Sequence, residues 1–344
     1  MVFEVLIVMI MIVFSSSYKL QSLKVRSNNI FNMISTKSTL NDITMLKLLD
    51  RIKENNNIDN NNLRNDYVKW IINSKVYGYV QPSFANELSK YNDVFVYDNK
   101  ENQISFTSDV EKLSINEKSN VIGKITLDLK NKNIIKGWRN ELLPVVSSFS
   151  EEPVLLLERA AYPLFGMKGY GVHVNGYVRN VKTGHIDALW VATRSPNKST
   201  WPLMLDHIVA GGQPFGLSPS ENVIKECEEE AGIPLEIASK ALSVGAVSYL
   251  GLDEANNLKR DVLFCFDLEI PSDFIPEPVD GEVESFQLKS IDWVINKLAE
   301  GGKLGYKPNC NLVVIDFLIR HGFISPESRH YLDLIGALRS GDCS

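Results

Sequence analysis

The sequence has 344 residues, of which 44% are hydrophobic and 23% are charged, the composition of an ordinary globular protein. This length suggests two domains, on a scale of roughly 100–200 residues per domain. The formal net charge of −6 argues against the basic surface of a nucleic-acid binder, and we expect no nucleic-acid partner. The cysteines are far apart and form no CxxC pair, which argues against a zinc site and a disulfide framework; they are Cys227, Cys265, Cys310 and Cys343.

The N-terminal segment, residues 1–35, has features of a leader. Val5–Phe14 is an unbroken apolar run, shorter than the roughly 20 residues of a membrane-spanning helix, so we expect no stable membrane insertion. From Ser15 to Asn41 there are basic residues and no acidic ones, as in organelle transit segments. Two interpretations stay open: a signal that directs the protein to a plastid or mitochondrion, or a dispensable leader of a cytoplasmic protein.

Residues 36–158 are predicted to form a small mixed α/β accessory domain without a catalytic motif. Apolar spacing predicts helices at Leu40–Lys53 and near Val68–Ile71, and the Asn-rich residues 55–62 between them are predicted to be a solvated loop. The alternating pattern of Val76–Val80 predicts a strand. Two further strands, and then a turn leading into a helix, are predicted at Val94–Tyr97, Ile104–Phe106 and Lys136–Leu142.

Residues 159–344 are predicted to form the second domain. Alternating apolar residues predict strands at Val172–Val178, His185–Thr193, Ala241–Leu250 and Val262–Leu268. Helices are predicted at Ile291–Leu298 and Val313–His321. Strands interrupted by a glycine-rich loop and a few helices predict the α+β fold class, with layers of helices packed on a sheet.

The most informative segment is a capped helix that follows a glycine pair. Ser218 is a good N-cap, Pro219 suits the first helical position, and Glu221 completes a capping box. Gly232 is the residue type favoured just after a helix end. The sequence therefore predicts a helix from Pro219 to Ala231.

Three carboxylates converge on one face of this helix. Glu226, Glu229 and Glu230 stand at positions i, i+3 and i+4, whereas Glu221 and Glu228 point towards solvent. Like-charged neighbours on a helix repel each other by about a few tenths of a kcal/mol per pair. A divalent cation would remove that penalty, and Mg²⁺ prefers carboxylate oxygens. The pattern thus indicates a Mg²⁺ site, in which Mn²⁺ is an expected substitute; a solvated acidic helix is the alternative.

The stretch from Lys225 to Ile233, KECEEEAGI, resembles the second half of the Nudix box, R-E-U-x-E-E-x-G-U, where U is aliphatic. Lys225 takes the place of the arginine and Cys227 that of an aliphatic residue. Gly211–Gly212 resemble the glycines that open the box. The earlier glutamate of the box falls at Leu217, so the resemblance implies altered packing of this loop.

The Nudix resemblance implies a set of site residues and a mechanism, the attack of water on phosphorus. The implied metal ligands are Glu226, Glu229, Glu230 and the carbonyl oxygen of Gly212, or less surely that of Gly211. For the general base, helix and later-loop carboxylates stay open as candidates: Glu229, Glu230, Glu282 and Glu284.

The resemblance extends over roughly Trp70 to Leu338 and is similar to one Nudix subgroup of the DUF4743 type, with an extra N-terminal domain. This subgroup includes the plant Nudix hydrolases 20 and 24 and resembles the Nudix half of fungal thiamine pyrophosphokinase fusions. The motifs that carry it include Glu158–Gly166, Gly169–Gly176, Asp280–Glu284 and Lys307–Cys310. It implies a Nudix α/β/α sandwich with a mixed sheet. It also implies hydrolysis of damaged thiamine diphosphates, the oxo- and oxy-forms, to the monophosphate and phosphate.

Further residues are candidates for contacts with the substrate. Arg194 and Lys198 lie before the box and are candidates for phosphate binding; an ordinary basic loop is the alternative. Trp201 and Tyr170 are candidates for stacking on a heterocycle; core packing is the alternative. His173 is expected to be structural.

Other functions remain as rivals. An isopentenyl diphosphate isomerase shares the Nudix fold, but it needs a cysteine on an early strand, and no cysteine precedes Cys227. Hydrolysis of ADP-ribose or another nucleoside diphosphate derivative is an alternative within the class. A binding module that has lost the chemistry is a third. The N-terminal domain is expected to shape the substrate pocket, to form a homodimer surface, or to do both.

Overall fold

The computed structural model describes residues 40–149, 151–253 and 256–341. The leader predicted for residues 1–35 lies outside these ranges, as does Cys343. Within the described residues, no helix is long and apolar enough to cross a membrane.

The N-terminal region contains a four-stranded sheet in the order β2-β1-β4-β3. Strands β1 and β4 run parallel, and the other pairs are antiparallel. The strands are β1 (Val68–Ile72), β2 (Lys75–Val80), β3 (Phe95–Asp98) and β4 (Gln103–Phe106). The helices are α1 (Asp42–Lys53), α2 (Asn60–Asp66), α3 (Pro82–Leu88), α4 (Ser108–Glu111) and α5 (Ile115–Asn131). A hairpin of β5 (Leu142–Val145) and β6 (Leu155–Glu158) follows.

Two assignments of local structure after residue 67 are wrong in this region. The segment Val68–Ile72 is a strand and not a helix, because Val68, Trp70 and Ile72 alternate inward with period two and are fully buried. The segment after Lys136 does not become a helix. Gly137 and Asn140 have φ angles of +70° and +56°, which a right-handed helix excludes, and the chain then enters β5.

A seven-stranded mixed sheet dominates the second region. Its main path is β11-β12-β7-β8-β13, with β10 paired to β7 and β9 paired to β8. Only the β12–β7 pair is parallel among the ladders of this sheet in the described ranges. The strands are β7 (Lys168–Arg179), β8 (Ile186–Arg194), β9 (Leu205–Asp206), β10 (Val209–Gly212), β11 (Leu242–Leu252), β12 (Leu258–Glu269) and β13 (Val283–Ser290).

Helices cover both faces of this sheet. On one face α6 (Pro219–Ala231) and α7 (Leu235–Ala238) pack on the valines of β7. On the other face lie α1 and three C-terminal helices, α8 (Ile291–Glu300), α9 (Pro308–Arg320) and α10 (Tyr331–Ala337). This is an α/β/α sandwich with a mixed sheet, preceded by a small mixed α/β region, so the predicted fold is confirmed.

Helix α1 packs on the large sheet although it lies within the predicted accessory domain. Its Met45, Leu48 and Ile52 are fully buried in the same core as α9 and α10. The predicted boundaries, 36–158 and 159–344, therefore stay a prediction, with α1 as an element that crosses between the two cores.

The Asn-rich segment makes hydrogen bonds to the second region. The prediction of a solvated loop is wrong at Asn55, which is buried, and from Asn60, where helix α2 begins. Asn55 Nδ2 donates to the Pro308 carbonyl at 2.9 Å, and Asn56 Oδ1 accepts from the Leu250 amide at 3.0 Å. Asn57 Oδ1 accepts from the Leu252 amide at 2.7 Å. Amide side chains satisfy backbone groups of the second region that would otherwise need water.

Candidate metal and hydrolase site

The candidate catalytic helix is α6, and the structure confirms its predicted bounds. Ser218 and Glu221 form the reciprocal capping box, in which the Ser218 amide donates to Glu221 at 2.8 Å. Gly232 ends the helix with a φ angle of +60°. Val223 and Cys227 are buried against the sheet, which fixes the rotation of the helix and therefore the direction of its carboxylates.

Glu230 is the most deeply placed carboxylate of the helix, with 7% of its surface exposed. The Ala210 amide of β10 donates to its Oε2 at 3.0 Å. Burial raises the pKa of Glu230 well above its usual value, and the charges of Asp206 and Glu226 act in the same direction. Such a carboxyl becomes a stable anion only when a positive charge lies close to it.

Lys225 partly neutralises the other two helix carboxylates. Its Nζ lies 2.6 Å from Glu229 Oε2 and 3.2 Å from Glu226 Oε1. Burial raises the pKa of Glu226, and the neighbouring Lys225 opposes that shift. The side chain of Glu229 is half exposed.

A later loop brings two more carboxylates to the helix. Carboxylate oxygens of Glu230, Asp280 and Glu282 lie within 4.8 Å of one another. Asp280 Oδ1 accepts from the Glu282 amide at 2.8 Å, which shapes the loop. Glu282 was predicted from the sequence as a candidate base, whereas Asp280 was named only as the first residue of the motif Asp280–Glu284. Glu284 is exposed and lies at an irregularity of the β13–β8 ladder.

The glycine pair lies beside Glu226. A Cβ atom on Gly211 would stand 2.4 to 2.7 Å from side-chain atoms of Glu226, so the carboxylate occupies that space. The Gly212 carbonyl accepts from Asn222 Nδ2 at 2.9 Å. The role of Gly212 as a metal ligand stays a prediction, and the structure places Gly211 closer to the carboxylates.

Arg194 and Lys198 lie near the site but differ in their partners. Arg194 donates through Nη1 to Asp206 at 2.7 Å, through Nε to the Trp201 carbonyl at 2.9 Å and through Nη2 to the Thr200 carbonyl at 3.0 Å. These bonds use the guanidinium to hold its own loop, so its phosphate role stays a prediction without support from geometry. Lys198 Nζ lies 2.5 Å from Glu282 Oε2 and therefore contacts the site directly.

The two predicted aromatic contacts have different settings. Trp201 has a φ angle of +54° in the loop held by Arg194 and is half buried. Tyr170 packs against Phe149 from the N-terminal region and Phe264 of β12, with ring centroids 5.0 and 6.3 Å away. The Tyr170 carbonyl accepts from the Gln213 amide, directly after the glycine pair. An aromatic cluster thus borders the glycine loop.

Sequence reasoning missed Arg159. Its guanidinium lies 3.7 to 3.9 Å from the position of a Cβ on Gly212, and its Nη1 is 2.7 Å from Glu141 Oε2. The side chain is about half exposed, so it adds positive charge beside the glycine loop. Its place in the motif Glu158–Gly166 was the available signal.

Sequence reasoning also missed a buried polar cluster near Glu230. The side chains of His173, Asp206, His207 and Cys310 meet there. Burial lowers the pKa of His207 to about 4 and that of His173 well below its usual value, so both rings are neutral. His173 was expected to be structural; the four residues of the cluster lie in three separate segments and gave no spacing pattern.

The carboxylate set fits a hard divalent cation. Its ligand atoms are all oxygens, they come from two segments, and half-exposed Glu229 and Glu282 leave room for water and phosphate. Lys198 contacts Glu282, and Lys225 contacts Glu226 and Glu229, so two cations lie directly beside this acidic centre.

Comparison with known proteins gives the family. A family model described as a domain of unknown function, DUF4743, matches residues 45–169. Nudix hydrolase 20, chloroplastic, of Arabidopsis thaliana is 46% identical over 286 residues, which cover 81% of this chain and 74% of that protein. Nudix hydrolase 24, chloroplastic, of the same plant is 45% identical over 279 residues, with the same coverages of 81% and 74%.

Among solved structures, a MutT protein from Methanosarcina mazei covers 46% of this chain and 98% of its own, with 20% identity and a TM-score of 0.33. The plant relatives carry the assignment, because their similarity spans both regions of the chain. Nudix hydrolases generally use a divalent metal ion, in agreement with the carboxylate set. The chain belongs to the Nudix hydrolases and carries a DUF4743 domain ahead of its catalytic sheet.

Proposed function

We propose that the chain is a Mg²⁺-dependent hydrolase that cleaves a diphosphate bond in a small molecule. The observation that carries this proposal is the convergence of Glu230 with Asp280 and Glu282, whose oxygens lie within 4.8 Å of one another. An acidic cluster of this kind is costly without a cation, and diphosphates bring metal ions with them.

Glu226, Glu229, Glu230 and the carbonyl oxygen of Gly212 would hold the metal, and Asp280 and Glu282 lie beside Glu230. When bound, the ion neutralises the diphosphate and lowers the pKa of the attacking water. The protein contributes fixed positions: the Ala210 amide orients Glu230, and Lys225 orients Glu226 and Glu229. Catalysis of this type depends mainly on positioning and charge stabilisation.

A carboxylate must also accept the proton of the attacking water. Glu230 is buried and only 15% of the Glu226 side chain is exposed, whereas the exposed fractions of Glu229 and Glu282 are 53% and 51%. Water reaches the latter two directly, so we propose that the general base is one of them. Lys198 Nζ lies 2.5 Å from Glu282 Oε2 and holds this carboxylate beside the site.

For the substrate we propose damaged thiamine diphosphates, the oxo- and oxy-forms, which yield the monophosphate and phosphate. Two observations support this choice. The sequence resembles the Nudix half of fungal thiamine pyrophosphokinase fusions over most of the chain. The cluster of Phe149, Tyr170 and Phe264 beside the glycine loop also offers flat apolar rings to a heterocycle.

The test is a hydrolysis panel with the full-length chain and Mg²⁺, in which products are separated by chromatography. The panel holds thiamine diphosphate, oxythiamine diphosphate, oxothiamine diphosphate, ADP-ribose and a nucleoside triphosphate. We expect the two damaged forms to be preferred. Preference for ADP-ribose would retain the hydrolase and discard the thiamine substrate, and absence of turnover on every compound would support a binding module instead.

We also propose that residues 1–35 direct the protein to an organelle, since both plant relatives are named chloroplastic. A fluorescent protein fused after residue 35 should enter plastids or mitochondria, and a diffuse cytoplasmic signal would contradict targeting.

A further inference from the structure

Four side chains with metal-ligating atoms meet inside the second region and form a group separate from the carboxylates of α6. In β7, His173 alternates with Val172 and Val174, which pack on the side of α6, so the His173 ring lies on the opposite face. The cluster consists of His173 in β7, Asp206 at the end of β9, His207, and Cys310 in the first turn of α9. Each residue is at most 6% exposed.

The distances between these donors approach the edges of a coordination tetrahedron. The ligand atoms all lie within 4.8 Å of one another. The two Nδ1 atoms of His173 and His207 are 3.1 Å apart, Cys310 Sγ is 2.8 Å from Asp206 Oδ1, and that oxygen is 3.9 Å from His207 Nδ1. Tetrahedral zinc with bonds of about 2.0 to 2.3 Å places its ligand atoms about 3.3 to 3.6 Å apart. Two of the observed distances are shorter than these values and one is longer.

The two oxygens of Asp206 have separate partners. Oδ2 accepts from Arg194 at 2.7 Å and lies 3.8 Å from Lys307 Nζ. Oδ1 faces the cluster, with Cys310 Sγ and the His207 ring next to it. The cations thus hold the carboxylate in a fixed orientation from outside, as outer partners of metal ligands do.

Hydrogen bonds link the four side chains in two pairs, His173 with His207 and Cys310 with Asp206. The contact between the Nδ1 atoms of His173 and His207 needs at least one unprotonated ring nitrogen. Among the described residues, His207 Nε2 is buried and has no hydrogen-bond partner. A proton on Nε2 leaves Nδ1, which faces the cluster, as an electron-pair donor that can bind a metal ion.

We propose that His173, Asp206, His207 and Cys310 bind one Zn²⁺ ion at a structural site separate from the catalytic carboxylates. One thiolate, two imidazoles and one carboxylate form a set that suits tetrahedral zinc, whereas the catalytic set is all oxygen and suits Mg²⁺. Cys310 releases its thiol proton to solvent as the sulfur–zinc bond forms, and no electron is transferred. The metal joins β7, β9 and α9.

The site also borders the catalytic centre. His173 pairs with Ala210 in the β7–β10 ladder, and the Ala210 amide is the donor that holds Glu230. A metal that fixes β7 and the start of β10 therefore fixes the backbone donor of a catalytic carboxylate. Loss of zinc is expected to have its larger effect on thermal stability and a smaller effect on Mg²⁺-dependent turnover.

The experiment measures zinc in the full-length protein, expressed without a polyhistidine tag and purified from zinc-supplemented cells. Elemental analysis should find about one zinc per chain, and Co²⁺ exchanged into the protein should show the visible absorption of tetrahedral thiolate coordination. Cys310→Ser and His207→Asn should each lower the zinc content at least about tenfold, because each removes one of four ligands.

Two matched controls locate the metal. Cys265→Ala removes a buried thiol on the strand beside His173 that lies outside the cluster, and Glu226→Gln alters the catalytic carboxylates. Both should retain zinc. A wild-type protein without zinc and without a Co²⁺ spectrum would overturn the proposal whatever the variants do. Zinc lost from Glu226→Gln but kept in Cys310→Ser would also overturn it, because the ion would then belong to the catalytic site.

Discussion

The carboxylate site and the buried cluster border each other through β10, yet they differ in how the chain encodes them. Glu226, Glu229 and Glu230 come from one helix at i, i+3 and i+4, so their convergence follows from helix geometry alone. His173 and Cys310 come from segments that only the folded sheet brings together. Local periodicity therefore predicted the first site, and only tertiary contacts show the second.

The largest expected effect comes from breaking the carboxylate site without altering its packing. Glu229→Gln and Glu230→Gln should each lower turnover at least about a thousandfold, since each removes a negative charge while keeping the shape of the side chain. In the Glu230→Gln variant, the side-chain amide oxygen can still accept from the Ala210 amide if it takes the position of Oε2. Single-turnover kinetics would measure the loss, and circular dichroism would check the fold. Near-normal Mg²⁺-dependent rates in both variants would remove these residues from the site.

The next largest expected effect concerns Asp206, a member of the buried cluster. Arg194→Ala should lower the free energy of unfolding by about 3 to 5 kcal/mol, because it leaves Asp206 buried with one partner fewer. Lys198→Ala is the matched control, since its partner Glu282 is half exposed and such pairs contribute about 0.2 to 1 kcal/mol. Urea titration measures both. If Arg194→Ala instead raised KM and left the free energy of unfolding unchanged, the result would support the predicted contact between Arg194 and a substrate phosphate.

The glycine pair Gly211–Gly212 gives a third test, at the boundary between the carboxylate site and the buried cluster. Gly211→Ala should lower kcat by about a hundredfold, because its Cβ would displace Glu226 from a metal-binding position. Gly212→Ala meets only the Arg159 guanidinium at 3.7 Å, an ordinary contact, and should change kcat by less than about threefold. Equal effects of the two substitutions on kcat would show that Glu226 is not held by this contact.

How far the sequence predicts the molecule depends on the range of the interactions involved. The bounds of α6 were predicted correctly, because Ser218, Glu221 and Gly232 are local signals. The segment Val68–Ile72 was assigned to a helix, because five residues fit either period and only its pairing with β2 and β4 decides. The packing of α1 on the large sheet and the bonds of Asn55 also depend on distant partners, and no local pattern carries them.

The smallest expected effect tests the local part of that explanation. Ser218→Ala removes the side-chain acceptor of the capping box and should lower the free energy of unfolding by about 1 kcal/mol. For a protein of this size the melting temperature should fall by about 1 to 2 °C, which differential scanning calorimetry resolves. Turnover should stay within about twofold, since Val223 and Cys227 still pack α6 against the sheet. A large loss of turnover at unchanged stability would mean that the cap, and not the packing, sets the direction of the catalytic carboxylates.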